Sequence, residues 1–349
     1  LRRFFQFTVV LALLAVAGAG GWLLQALRAP EGGRFPSGGV FVEMARGQSV
    51  RSMGQSLVAA GVIRSSLAFE ILARWRGRQD LKAGEYHFAR PASADEALAR
   101  LVRGDVYYLT FIVPEGLTIF QIAQRAEDAR LATRSEFLAA AGDVTLIRDV
   151  APDARSLEGF LFPATYQFSR RVTAAEMTRA MVNSFRKEWN GLAAAPLPRG
   201  MTTLQLVTMA SLVERETPAS PERPQVAGVY YNRLRRGIAL QCDPTVLYAM
   251  ELAGRNDGII HQSDLRLHSP YNTYRFRGLP PGPIGNPGTA ALRAALAPAA
   301  TDALYFVANT QGGHWFSRTL AEHARNVARY RALLREQQRN GNGAPRRAP

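Results

Sequence analysis

Residues 204–217 read as a helix that is apolar on nearly every side, with Leu206, Val207, Met209, Ala210, Leu212 and Val213 spread over several faces. A helix of that kind exists only with protein packed around it, so the chain must build a core about this segment. The segment closes with Glu214-Arg215-Glu216, which sets two acids at the edge of that core. Burial and the partial negative charge of a helix C-terminus both disfavour ionisation and raise a carboxyl pKa, the tuning a general acid needs. The acids are two positions apart, about 200° around a helix of 3.6 residues per turn, so they point in different directions and cannot serve one bond together. Periodicity does not choose between them: Leu204, Val207 and Ser211 lead to Glu214, while Leu206, Met209 and Val213 lead to Glu216. For either acid the alternative is a structural salt bridge to Arg215 or Arg233.

The chain has 349 residues. At about 100–200 residues per domain, that leaves room for two domains beside an anchor. Lys and Arg number 43 against 28 Asp and Glu, a net charge of +15 carried almost wholly by arginine, since Lys82 and Lys187 are the only lysines. Such a balance favours an anionic partner: nucleic acid, anionic lipid or an acidic polymer. Cys242 is the single cysteine, so no intramolecular disulfide can form. His87, His261, His268, His314 and His323 are scattered without ligand spacing, and neither a metal nor a cofactor is expected.

Residues 4–27 carry no charge and follow Arg2-Arg3. About 20 apolar residues cross a bilayer, and basic residues before the span favour a cytoplasmic N-terminus with the rest of the chain outside. A cleavable signal peptide is the rival, with Ala15-Val16-Ala17 and Ala17-Gly18-Ala19 as small-residue sites. The apolar run continues through Trp22, Leu23 and Leu24, which favours an uncleaved anchor over residues 1–28.

Residues 29–39, rich in Pro and Gly, read as a linker, and a small domain is expected over residues 40–150. Within it Gly47-Gln48-Ser49-Val50-Arg51-Ser52-Met53-Gly54-Gln55 and Gly116-Leu117-Thr118-Ile119-Phe120-Gln121-Ile122-Ala123-Gln124 share one pattern at an offset of 69. Gly allows the turn, Ser49 or Thr118 caps the helix that follows, and Thr118 with Gln121 makes a capping box. Ser93 with Glu96 signals a third helix start, closed by Gly104. The pair resembles LysM, a small α+β fold that binds N-acetylated glycans; ordinary helix starts are the plainer reading.

From residue 151 to 335 the character changes to apolar and aromatic loops between helices. Residues 174–189 suit an amphipathic helix, and residues 336–349, rich in Arg, Asn, Gly and Pro, suit a disordered tail. Gln241-Cys242-Asp243-Pro244-Thr245 and Tyr271-Asn272-Thr273-Tyr274 are dense in rings, amides and hydroxyls. Saccharides need that lining, with ring faces for their C–H surfaces and polar groups for their hydroxyls. Turn chemistry explains the same residues without a ligand.

Many ordered segments together resemble the endolytic murein transglycosylase, or YceG-like, family. They are Leu157-Glu158-Gly159 with Phe162-Pro163, Ala210-Ser211-Leu212-Val213-Glu214-Arg215-Glu216, Tyr231-Asn232-Arg233-Leu234, Gln241 with Asp243-Pro244-Thr245-Val246, and Tyr271-Asn272-Thr273-Tyr274. Leu279-Pro280-Pro281-Gly282-Pro283-Ile284, Asn286-Pro287-Gly288, Leu304-Tyr305-Phe306-Val307-Ala308 and Gly313-His314 with Phe316 complete the set. Ala164 departs from a common acid and Cys242 from a common Ser or Thr.

The resemblance implies an α+β fold: a transmembrane helix, a small LysM-like region and a larger catalytic domain. It implies Glu214 as the catalytic acid, with Glu158, Tyr166, Asn232, Gln241, Asp243, Tyr271, Asn272, Thr273 and Tyr274 as candidate substrate contacts. The reaction implied is cleavage of the β-1,4 bond between N-acetylmuramic acid and N-acetylglucosamine within peptidoglycan, leaving a 1,6-anhydromuramyl end. The implied setting is the bacterial inner membrane with the catalytic domain outside, and the implied partners are glycan strands and cell-wall synthases. A two-carboxylate muramidase using Glu214 with Asp243 or Glu158, and a non-catalytic wall-binding scaffold, are the competing readings. Nucleic acid is the least suited partner, since export removes it and the basic residues form no recognition motif.

Overall fold

The computed structural model describes residues 2–31, 35–78, 80–192, 196–198, 200–217 and 220–339. The chain divides into two compact units, one of residues 1–109 with 167–170 and one of residues 110–166 with 171–349.

In chain order the first unit comprises α1 (Arg2–Ala26), β1 (Val40–Met44), α2 (Val50–Ala59), α3 (Ser66–Trp75), β2 (Gly84–Phe88) and α4 (Ala94–Arg103). The 23-residue stretch Phe4–Ala26 is strongly apolar and exposed along nearly all its length. At 1.5 Å per residue it is about 34 Å long, enough to cross a bilayer; a signal sequence has the same character. Its end is tied to the unit, because Leu27 O accepts a hydrogen bond from Ala94 N at 2.9 Å. β1 and β2 pair antiparallel with Val42 opposite Tyr86. Strand alternation turns Val42, Met44, Tyr86 and Phe88 inward, where Leu57, Phe69, Leu98 and Leu101 of the helices bury fully against them. Ser49 and Ser93 cap α2 and α4 as expected, and Gly104, at φ +76°, closes α4 in the left-handed conformation.

Next come β3 (Leu109–Ile112), α5 (Ile119–Asp128), α6 (Arg134–Ala141), β4 (Thr165–Phe168), α7 (Ala174–Leu192), α8 (Thr203–Glu216), α9 (Arg223–Arg235), α10 (Asp243–Leu252), α11 (Thr289–Leu296), β5 (Tyr305–Ala308), β6 (His314–Ser317) and α12 (Leu320–Arg339). β3 pairs with β4 and β5 with β6. The apolar helix expected from the sequence is α8, started by a capping box between Thr202 and Gln205. Leu206, Val207, Met209, Ala210, Leu212 and Val213 are all fully buried, and α9, α10 and α11 pack around them. Gly159 lets the loop of residues 157–162 reach α8: it sits at φ +87°, and a Cβ there would stand 2.4 Å from Pro283 Cγ and 2.8 Å from Val207 Cγ1.

Two expectations shift. The second copy of the 69-residue repeat lies in the second unit, so the units divide near residue 109 rather than 150. The reason is that α5 begins on groups of its own unit: Glu158 accepts from Ile119 N, and Gly116 N donates to Asn286 O at 2.8 Å. The polar C-terminal segment continues as helix α12 to Arg339, past residue 336; residues 340–349 lie outside the described residues.

Candidate active site

Glu214 lies in the last turn of α8 and is 9% exposed. Its Oε1 accepts from Arg223 Nη2 at 2.6 Å and its Oε2 from Gly288 N at 3.0 Å. Gly288 is the N-cap of α11, so that carboxylate oxygen sits where a helix presents unpaired amides. Arg223 is the first residue of α9 and reaches Glu115 Oε2 as well, at 3.4 Å. Burial pushes the Glu214 pKa up; the Gly288 amide and the Arg223 charge pull it down, and the Glu115 charge adds to the rise. Beside Glu214 two backbones are in contact: a Cβ on Gly285 would stand 2.6 Å from Gly116 O, and one on Gly116 would stand 3.5 Å from Glu214 Cγ.

Glu216 leaves α8 in another direction, as the helical angle requires. It faces a polar hollow of about 260 Å³ shared with Arg233, Gln241, Asp243, Tyr274 and His323. Its Oε2 accepts from Tyr230 OH at 3.1 Å and from Cys242 Sγ at 3.3 Å, and burial pushes its pKa up too. Tyr274 OH donates to Asp243 Oδ1 at 2.5 Å. Gln241 holds φ +50°, a conformation that costs energy for a residue with a side chain and is found disproportionately at functional sites. The structure therefore gathers three of the candidate contacts, Gln241, Asp243 and Tyr274, around Glu216. A larger hollow of about 830 Å³ lies at the other end of α8, against Leu204, Tyr231, Pro280 and Pro281, and neither acid lines it.

Most of the other candidate contacts are braces. Glu158 is 2% exposed and accepts from Ile119 N, Asn286 Nδ2 and Tyr248 OH, at 3.1, 2.9 and 3.1 Å; burial pushes its pKa up to about 8. Tyr166 donates to Phe162 O at 2.6 Å. Asn232 is buried and its amide donates to Thr301 O and Ala303 O. Asn272, fully buried, donates to Leu265 O and Leu267 O, and Thr273 Oγ1 lies 2.9 Å from Thr245 Oγ1. Buried polar groups must find partners inside the protein, and these have done so. Tyr271 is half-buried, its ring 5.0 Å from that of Tyr248. Sequence reasoning passed over Glu115 and Arg223; their only signal was position, beside the Gly116 turn and at the start of α9.

Fold and site together define an α+β protein whose second unit packs around a buried helix ending in two carboxyls of raised proton affinity. Comparison makes this particular: residues 42–329 match the YceG-like family, and the chain belongs to that family. It is 34% identical over 307 residues to a Bacillus subtilis protein named endolytic murein transglycosylase, covering 83% of this chain and 84% of that one. A Streptococcus pneumoniae protein of the same name is 31% identical over 356 residues, covering 93% of this chain but 64% of the relative, under two thirds of its length. The crystal structure of a yceG-like protein from Listeria monocytogenes superposes with a TM-score of 0.53 at 31% identity, covering 83% of this chain and 99% of that one.

Proposed function

We propose that this chain is an endolytic murein transglycosylase that cuts the β-1,4 bond between N-acetylmuramic acid and N-acetylglucosamine, with Glu214 as acid and then base. The observation that carries the reading is a Glu214 carboxyl whose proton affinity is raised by burial and whose oxygens are placed by Arg223 and the Gly288 amide. Protonated Glu214 donates to the glycosidic oxygen as the C1–O4 bond breaks, and the substrate's own N-acetyl carbonyl supports the cationic C1. The Glu214 carboxylate then takes the proton of the muramyl 6-hydroxyl, whose oxygen bonds to C1 and closes the anhydro ring. No water is consumed, so one carboxyl suffices. A retaining hydrolase would need a second about 5–5.5 Å away and an inverting one about 6.5–9.5 Å away.

Mass spectrometry of murein digested by wild type and by Glu214→Gln tests this. Anhydro ends, lighter by one water than reducing ends, are expected from wild type and absent from the variant. Reducing ends from the wild type would convert the reading to hydrolysis. A second reading rests on the hollow of Glu216 and Asp243, two carboxyls facing one polar space. It makes the protein a two-carboxyl muramidase with Gln241 and Tyr274 as sugar contacts, and it requires Glu216→Gln to be the inactive variant.

The same proposal places the chain in the bacterial inner membrane through α1, with both units outside, where glycan strands and wall synthases are. A LysM-like, glycan-holding role for the first unit is supported by rings on the outward face of β1 and β2. Phe41 and His87 lie 4.5 Å apart, Phe41 and Tyr107 5.0 Å, and the Arg170 guanidinium stands 3.8 Å above Phe41. Sedimentation with insoluble murein tests that role, which predicts weaker retention of Phe41→Ala.

A further inference from the structure

Arg223 is 6% exposed, and its Nε has no hydrogen-bond partner although the guanidinium lies between two acids. Its Nη2 is 2.6 Å from Glu214 Oε1 and 3.4 Å from Glu115 Oε2. A guanidinium carries five donors, and a buried donor left unpaired is costly, so Arg223 is not saturated by the pair it makes with Glu214. The two acids differ in their access to water. The Glu115 side chain is 47% exposed and that of Glu214 5%, so water can support a charge on Glu115 while a charge on Glu214 depends on protein partners.

We propose that Arg223 and Glu115 form the positioning pair of Glu214: Arg223 is shared between the two carboxylates and follows the negative charge as Glu214 gives up and recovers its proton. The inference rests on Glu214 being the acid of the cleavage. While Glu214 holds its proton, Arg223 and Glu115 balance each other and the Glu214 hydroxyl is free to face the glycosidic oxygen. When the proton leaves on the departing O4, Glu214 becomes the second anion and Arg223 closes on it, the arrangement with the 2.6 Å contact. As the muramyl 6-hydroxyl bonds to C1 its proton returns to Glu214, and Arg223 goes back to Glu115. Protons balance over the cycle, and the charge on Glu214 never stands alone in the interior.

The other groups around Glu214 are engaged elsewhere. Arg215 of the same helix donates to Gly116 O at 3.1 Å, and Glu216 faces its own hollow. From α10, Glu251 accepts from Thr118 Oγ1 at 3.3 Å. Glu222, beside Arg223 in sequence, accepts from His314 N and from its Nδ1. On the α11 side the facing group is the uncharged Gly288 amide. Gly288 also makes the room that Glu115 occupies, because a Cβ on it would stand 1.8 Å from Glu115 Oε1. Gly288→Ala thus displaces the Glu115 carboxylate without deleting it.

The test is an isotope-edited infrared titration of the Glu214 carboxyl in the full chain without substrate, assigned by its loss in Glu214→Gln, beside the pH profile of kcat/KM on murein. Removing a neighbouring cation raises a carboxyl pKa and removing a neighbouring anion lowers it. Arg223→Gln is therefore expected to move the titration and the alkaline limb to higher pH, with kcat lower by about 10²-fold through lost positioning. Glu115→Gln and Gly288→Ala move both to lower pH, and Arg223→Lys, which keeps the charge, returns the titration toward wild type. Opposite shifts are not what a merely structural role produces. Titrations that stay in place, or move the same way in Arg223→Gln and Glu115→Gln, overturn the inference even if Glu214→Gln is inactive. Should Arg223→Gln fail to fold, Glu115→Gln and Gly288→Ala decide alone. An active Glu214→Gln removes the underlying reading instead, and the substrate-free titration keeps the two failures apart.

Discussion

Glu214 and Glu216 end the same helix, both have their pKa raised by burial, and they differ in what opposes that rise. On the Glu214 side the relief is a helix-start amide and a buried arginine with an exposed acid behind it. On the Glu216 side it is first a thiol and a phenol, neutral and fixed in the core, with a lesser pull from the His314 charge that the Asp243 charge opposes. A carboxyl that must lose and regain a proton needs compensation that can be given and withdrawn, and a charged side chain with an alternative partner supplies it. Neutral donors hold a carboxyl in place and leave its charge costly. The comparison favours Glu214 as the working acid, although the more obvious polar hollow belongs to Glu216.

The largest effects are expected from removing each acid in turn. Glu214→Gln is expected to lower the rate of anhydro-end release by about 10²–10⁴-fold, the usual worth of a general acid. Glu216→Gln should keep most of the rate; the reverse order would reassign the chemistry to the hollow. Asn286→Ala acts on the Glu214 side alone. The Asn286 side chain joins Leu161 N, Leu117 O and Glu158 within the loop that brings the Gly288 amide to Glu214. Stranding these buried groups should cost about 3 kcal/mol in urea unfolding and reduce cleavage as well.

Glu158 gives a pH prediction. Burial pushes its folded-state pKa up from 4.5 to about 8. Between those values the folded chain binds more protons than the unfolded one, so stability falls as pH rises through that window. The Tm of wild type should decline from about pH 4.5 toward pH 8, and that of Glu158→Gln, neutral throughout, should be flatter. A wild-type slope no steeper than the variant's would contradict the buried neutral carboxyl. The smallest effect belongs to Cys242→Ser, which keeps a donor for Glu216. Its stability should stay within about 1 kcal/mol of wild type and its cleavage rate close to wild type.

The repeat shows where legibility ended. Gly47 with Ser49 and Gly116 with Thr118 were readable as helix starts, because a turn and a cap are interactions among neighbours in the chain. Both caps are present, yet Ser49 starts a plain core helix of the first unit, whereas Thr118 starts a helix of the second unit whose first amide rests on buried Glu158. The polar loop residues were readable as groups in need of hydrogen bonds. Whether a sugar or the protein supplies those bonds depends on folding, and for Glu158, Asn232, Asn272 and Thr273 the protein supplies them.

The elements and the family follow from the amino-acid order: a bilayer-length apolar helix, capped helix starts, a core helix ending in two acids, and an ordered run of motifs. What surrounds each acid came from long-range folding. Gly288 N and Glu214 are 74 positions apart, Glu115 and Arg223 are 108 apart, and Asn286 reaches Leu117 across 169. Caps and helical faces arise from residues within a turn of one another. A carboxyl's proton affinity sums burial and charge from every segment that folds against it, and those segments meet only when the chain is folded.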